Sequence, residues 1–172
     1  MDIRTGFGYD IHRFDENGKR FVLAGIELPG KKIKAHSDGD CLYHSLANSI
    51  LSALGLEDIG TYFPDTSEDT QGMNSEDILS FALAQMEKRE YTISNIVIDV
   101  VLQSVKLKNY KEQIKSRLSE VMNLSADRIA IHANTKEGLD AVGHDEAVEV
   151  YSTVCLIKMC GAIYGYSTEN QR

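Results

Sequence analysis

Leu42, Leu46, Ile50 and Leu54 recur at four-residue spacing, which lines up one buried stripe and predicts a helix over residues 38–54. Ser37 is the N-cap this pattern suggests, with Asp38 and Asp40 at the positive end of the helix dipole. A second helix is expected from a cap at Asn74 or Ser75 to about Lys88, with Ile78, Leu79, Ala82 and Met86 inward. A third covers about 109–122 on Ile114, Leu118 and Val121.

Between these lie runs of β-branched and apolar residues. Ile3 to Phe14 reads as a strand whose Gly6 and Gly8 mark a bulge or a close backbone approach. The short runs 21–25 and 26–28, beside Pro29 and Gly30, predict a hairpin. Residues 91–102 form the clearest strand, followed by strands over 129–134 and 148–159. In the 91–102 strand, Ile98, Val100 and Leu102 alternate with Val97, Asp99 and Val101, so both faces carry apolar groups and something must cover each. The polar stretch 58–72, broken by Pro64, is expected to be a mobile loop, and the tail from about 165 to be frayed.

These elements define an α+β class: a mixed β-sheet with helices on one face and another subunit as the natural cover for the other. No repeat, low-complexity tract or linker divides the 172 residues, so one catalytic domain over 1–172 is expected.

Composition narrows the partners. Eighteen Lys+Arg against 26 Asp+Glu give a net charge of −8, which repels a polyphosphate backbone and argues against nucleic-acid binding. A small anion is still admissible where metal ions and backbone N–H groups supply positive potential. Cys41, Cys155 and Cys160 are odd in number and lack CxxC spacing, which points to a reducing compartment and structural cysteines. No apolar run reaches the length of a membrane span, and the first residues resemble neither a signal peptide nor an Arg/Ser-rich presequence. A cytoplasmic protein is the expectation, with a plastid admissible if a presequence has been trimmed.

The candidate chemistry gathers around Ala35–His44 and Gly8–His12. Asp10 and His12 stand two apart on a strand, so both side chains leave one face. Cys41, His44 and Asn48 lie along the helix away from its leucine stripe, so His44 is not an evident core residue. One carboxylate and two imidazoles with an open position suit a catalytic zinc or a similar divalent ion. Spacing alone equally allows a sheet ion pair beside a solvated helix histidine, which is the commoner arrangement. Asp38 and Asp40 could orient the imidazoles or simply favour a first helical turn. His36 precedes the expected N-cap, where backbone N–H groups can receive an anion. Thr135, Lys136 and Glu137 offer a hydroxyl, a cation and a carboxylate, a set suited to a phosphate and a hard metal such as Mg²⁺. Lys106 and Lys108 could meet a nucleotide or solubilise a helix start. No nucleophile elbow, P-loop or GxGxxG motif is present.

Three runs together resemble one family. Gly6-Phe7-Gly8-Tyr9-Asp10-Ile11-His12, Ala35-His36-Ser37-Asp38-Gly39-Asp40 with His44, and Asp58-Ile59-Gly60 with Phe63-Pro64-Asp65-Thr66 are similar to the 2-C-methyl-D-erythritol 2,4-cyclodiphosphate synthase family of non-mevalonate isoprenoid biosynthesis. The resemblance implies a Zn²⁺ site at Asp10, His12 and His44, and a second ion, Mg²⁺ or Mn²⁺, on Glu137. It implies that His36 and Thr135 are catalytic, and that His36, Ser37, Phe63 and Asp65 face the phosphorylated erythritol with Asp10 and His12. Asp58 and Gly60 would meet the ribose, Lys106 would line the cytidine pocket, and Asn134, Thr135 and Glu137 would contact the nucleotide phosphates. It also implies a homotrimer with active sites between subunits and a cytidine diphosphate substrate. A nucleotide pyrophosphatase and a metal- or nucleotide-binding module are the rival readings.

The chain departs from the family pattern at several places. Asn134-Thr135-Lys136-Glu137 stands for a run of threonines before the glutamate, Ser104-Val105-Lys106-Leu107 lacks a proline, and Asn48 replaces an aspartate. His144 takes the place of an arginine associated with a trimer-axis cavity that can hold an isoprenoid diphosphate, so that regulation is not expected to carry over unchanged.

Overall fold

The computed structural model describes residues 2–67 and 70–159. β1 (Ile3–Leu23) is one continuous element rather than a strand ending at Phe14 followed by a separate hairpin arm. It changes partner along its length: residues 3–13 run antiparallel to the last strand, whereas Phe14 and residues 19–23 pair with β2 (Ile26–Ile33). The register shift between Phe14 and Lys19 absorbs the polar Asp15–Gly18 stretch. A two-residue turn at Ala24 and Gly25, both with positive φ (51° and 73°), closes the hairpin with the twist that joined antiparallel strands favour.

α1 (Cys41–Ala53) follows, then α2 (Ile59–Tyr62), α3 (Ser75–Lys88), β3 (Tyr91–Val101), α4 (Lys111–Val121), β4 (Ile129–Asn134), α5 (Asp140–Gly143) and β5 (Ala147–Lys158). The sheet order is β2-β1-β5-β3-β4, with β3 and β4 parallel and every other pair antiparallel. The parallel pair is joined through α4, the crossover that parallel strands require.

α1 starts three residues later than expected and is capped by Asp40, not Ser37. Gly39 explains the difference: its φ of +83° is incompatible with a helix and turns the chain between Asp38 and Asp40. The Asp40 carboxylate accepts the Leu42 and Tyr43 N–H groups, both at 3.2 Å, and the Gly25 N–H at 2.7 Å. It therefore ties the β1–β2 turn to the start of α1. Burial pushes its carboxyl up to about 6.

The leucine stripe is buried as expected, but so is nearly every other residue of α1, because the helix is held between β1, β5 and α3. Gly6 and Gly8 are the devices that bring it in, and of their two expected roles the structure selects the close approach. A Cβ on Gly8 would strike the Ser45 carbonyl and lie 2.6 Å from the Ser49 nitrogen, and one on Gly6 would lie 2.8 Å from the Ala53 Cβ. Ser45 Oγ, 3.2 Å from the Gly8 carbonyl and 2.8 Å from Ser152 Oγ, occupies the polar seam between helix and sheet.

Among the described residues, none covers the opposite face of β1. Phe7, Tyr9 and Ile11 are 59%, 39% and 43% exposed, an apolar row alternating with Gly6, Gly8, Asp10 and His12. On β3 the same parity holds: Ile96, Ile98 and Val100 are in the core, with Val97 and Asp99 half-buried on the far side. Among the described residues no helix is long and apolar enough to cross a membrane. The expected frayed tail and Cys160 lie outside the described residues.

Candidate active site

The close contact of α1 with β1 sets His44 against Asp10. Asp10 Oδ2 is 3.1 Å from His44 Nδ1 and 3.2 Å from His12 Nδ1. One ligand atom from each of the three residues falls within 4.8 Å of the others. His44 is a buried residue, which corrects the expectation drawn from its helical position: away from the leucine stripe its ring is enclosed by Asp10 of β1 and Ser75 of α3. Asp10 and His12 are half-buried.

The donor set fits a divalent cation. His12 Nδ1 lies 2.8 Å from the Ile11 carbonyl, which can only accept, so Nδ1 carries a proton and, in the neutral ring, Nε2 is the nitrogen left with a lone pair. A carboxylate oxygen flanked by imidazole nitrogens at hydrogen-bonding distance calls for a positive centre among them, either a proton or a metal ion. The Cys41 thiol lies against the same carboxylate; burial first, then the charge of Asp10, push it well above its usual range, so it behaves as a structural thiol.

These residues open onto a cleft of about 460 Å³. Its walls bring together Asp10, His12, His36, Ser37, His44, Gly60, Phe63 and Asp65, all of them site residues expected from the sequence. A larger hollow of about 830 Å³, lined by Arg20, Glu27 and Lys32 among others, contains none of those residues. Chemistry therefore selects the smaller cleft.

A model of the YgbB family matches residues 3–157 of this chain. The chain belongs to the YgbB family. Relatives named 2-C-methyl-D-erythritol 2,4-cyclodiphosphate synthase include one from Brachyspira hyodysenteriae, 38% identical over 157 residues, 91% of this chain and 99% of that protein. The apicoplast synthase of Plasmodium falciparum is 35% identical over 173 residues, 90% of this chain and 72% of that one. Among solved structures, a Plasmodium falciparum IspF in a CDP complex matches with a TM-score of 0.82 and 37% identity over 92% of this chain and 97% of that chain.

For this YgbB-family chain, the loop that bears His36 is fastened from below. Lys19 donates to the Ser37 carbonyl, and its Nζ is 3.0 Å from the His36 carbonyl. No sequence signal marked Lys19, because its partners are backbone oxygens about 17 residues away. His36 itself is exposed, with Nε2 3.3 Å from the Ser67 carbonyl. It does not sit at a helix N-terminus, since the cap has moved to Asp40. Ser37 is buried, and its Oγ accepts the Gly39 N–H at 3.2 Å.

The stretch expected as a loop over 58–72 contains α2. Asp58 caps it, accepting the Thr61 N–H at 3.0 Å, and Asn48 Oδ1 accepts the Ile59 N–H at 3.0 Å, so α1 holds α2 in place. Tyr62 and Phe63 pack on Phe81 of α3, with ring centroids 4.9 and 5.3 Å away.

The remaining expected residues lie elsewhere in the chain. Lys106 is exposed and lines a separate hollow of about 360 Å³ with Ser104, Val105 and Tyr110. Asn134, Thr135 and Glu137, all exposed, cluster at the end of β4: Asn134 Nδ2 donates to Asp99 Oδ1 at 3.0 Å, and Thr135 Oγ1 donates to Glu137 Oε1 at 2.9 Å. Lys136 points away from them toward Glu149, at 2.9 Å. That carboxylate also receives the Tyr151 hydroxyl at 2.9 Å and the Tyr9 hydroxyl at 3.4 Å. Burial, then the charge of Glu149, push the Tyr9 phenol up to about 12.

Proposed function

We propose that this chain is a phosphorus–oxygen lyase, converting 4-diphosphocytidyl-2-C-methyl-D-erythritol 2-phosphate to 2-C-methyl-D-erythritol 2,4-cyclodiphosphate and CMP. The observation that carries this reading is the meeting of Asp10, His12 and His44 at one cleft that also holds His36, Ser37, Gly60, Phe63 and Asp65, in a YgbB-family chain.

In the reaction an oxygen of the 2-phosphate attacks the β-phosphorus of the cytidine diphosphate arm. The bond from that phosphorus to the bridging oxygen breaks, CMP leaves with the electron pair, and the ring closes. Two anionic groups must approach, so repulsion and orientation dominate the barrier. A Zn²⁺ at Asp10, His12 and His44, with Mg²⁺ or Mn²⁺ at Glu137, supplies charge neutralisation when bound. His36, exposed at the cleft rim, and Thr135 contact the reacting phosphates. Phe63 and Asp65 hold the erythritol end, and Asp58 and Gly60 meet the ribose. Binding both ends of one substrate makes the attack intramolecular in a fixed geometry, an effect worth roughly 7–11 kcal/mol in favourable cases. No protein nucleophile is required.

The site is assembled between subunits of a homotrimer. Two observations support this. Lys106, Asn134, Thr135 and Glu137 do not line the cleft that holds Asp10 and His44, and the row Phe7, Tyr9 and Ile11 is left exposed on the sheet. The expected setting is a bacterial cytoplasm or, after removal of a presequence, a plastid; the apicoplast relative supports the second. The test is incubation with the diphosphocytidyl substrate, Zn²⁺ and Mg²⁺, followed by ³¹P NMR. Cyclic diphosphate and CMP in equal amounts are expected. An open-chain diphosphate or monophosphate would identify a pyrophosphatase instead, and cytidine binding with no CMP release a binding module.

A further inference from the structure

Behind the cleft, and not part of its lining, Ser75 at the first position of α3 stands between His44 and Asp38. Ser75 Oγ lies 2.9 Å from His44 Nε2 and donates to Asp38 Oδ1. The Ser75 backbone N–H donates to Asp38 Oδ2 at 3.1 Å, and the Asp40 N–H to Asp38 Oδ1 at 3.1 Å. Ser75 is fully buried.

The direction of each hydrogen bond can be deduced. An ionised carboxylate only accepts, so the single hydroxyl proton of Ser75 is committed to Asp38, and a lone pair of Oγ faces His44. Nε2 is therefore the donor. In a neutral imidazole this leaves the lone pair on Nδ1, the nitrogen 3.1 Å from Asp10 Oδ2. The Ser37 hydroxyl, 3.4 Å from the same Nε2, is the longer contact. A lone pair aimed at a carboxylate is unfavourable until a cation lies between them.

We propose that Ser75 and Asp38 are positioning residues that fix the His44 tautomer and ring, so that Nδ1 is presented to the divalent ion shared with Asp10 and His12. The inference rests on the metal reading above and adds two residues to it. Asp38 acts through the hydroxyl: its charge favours the Nε2–H form and raises the basicity of the ligating nitrogen. Because Asp38 also holds the first N–H of α3, the start of that helix and the ligand imidazole are set by one carboxylate.

The experiment measures zinc affinity of the full chain by chelator competition and the His44 tautomer of the zinc-loaded protein by long-range ¹H–¹⁵N NMR. The wild-type chain should show the Nε2–H tautomer. Ser75→Ala should lower zinc affinity about 10–100-fold and give a tautomer mixture; Asp38→Asn should lower it in the same direction by less. Wild-type His44 protonated on Nδ1 would overturn the proposal without any variant. So would a folded Ser75→Ala chain whose zinc affinity stays within about twofold of wild type, well inside the expected loss. A wild-type chain that binds no zinc would overturn the metal reading and this inference together, whereas the other two failures leave the metal reading standing.

Discussion

Gly8 lies so close beneath Ser45 that no side chain fits between them: a Cβ there would strike the Ser45 carbonyl. Replacing Gly8 by Ala must lift α1 from β1, and His44 rides on α1 one residue before Ser45. We expect Gly8→Ala to cost roughly 2–4 kcal/mol, at or above the upper range for overpacking. Zinc affinity should fall at the same time. Urea unfolding and a zinc titration check the two effects together; a fully stable variant with normal zinc affinity would contradict the account of the glycine.

His44→Ala and Asp10→Ala should each abolish turnover by removing a ligand while leaving the fold in place. The imidazole and carboxylate are close partners at 3.1 Å, so either loss leaves an incomplete three-residue set. Bound zinc per chain, circular dichroism and CMP release are the measurements. Full activity from a metal-free His44→Ala chain would refute the assignment.

Asp40 gives the pH prediction. Its carboxyl is pushed up to about 6 from 3.8, chiefly by burial. The folded state therefore holds this proton more tightly than the unfolded state does, and the slope of stability with pH is negative between those values. The contribution of Asp40 to stability should be greatest at about pH 4, decline through about pH 6 and stay level above it. Unfolding free energies of wild type and Asp40→Asn at pH 4.5 and 7 isolate the effect, because other carboxylates cancel in the difference. A wild-type advantage that grows with pH would be the wrong sign.

Lys136 and Glu149 yield a fourth prediction. The hydrogen bond to Glu149 raises the Lys136 ammonium above its usual range, and the pair fastens the segment carrying Thr135 and Glu137 to β5. Lys136→Met should free that segment, leave the fold intact and lower kcat/KM by up to about 10²-fold through misplacement of Thr135 and Glu137, the groups proposed to contact the phosphates. Faster amide exchange at 135–140 should accompany the loss. Normal turnover with unchanged exchange would show that the tie is dispensable.

Much of this molecule could be read from its sequence where period and parity carry the information. Asp10 and His12 were placed on one strand face by alternation, and the leucines of α1 by a four-residue repeat. Where one residue changes the backbone class, the pattern misleads: Gly39 at positive φ moves the N-cap from Ser37 to Asp40. Hydrophobicity also misread β1, since the polar stretch Asp15–Gly18 looks like a break but lies within the strand. Contacts distant in sequence left no periodic trace. Ser75 meets His44 and Asp38 across 31 and 37 residues, and Lys19 reaches backbone carbonyls that any residue would supply. The halves of the expected site at Lys106 and at 134–137 were legible as motifs, but no pattern within one chain brings them to the cleft of Asp10, His12 and His44.

The alternation of β1 has a consequence for sequence change. From Gly6 to His12 the even positions serve the helix contact and carry the proposed metal ligands Asp10 and His12, and the odd positions present Phe7, Tyr9 and Ile11 outward. Deleting one residue before Gly6 while β1 keeps its register with β5 would exchange the two sets: aromatic rings would turn against Ser45 and Ser49, and the carboxylate and imidazole would point outward. A substitution here disturbs one position, but an odd-numbered insertion or deletion fails on both faces at once. Length in this segment is thus constrained together with identity, and a viable homologue should vary it only outside the residues paired with β5.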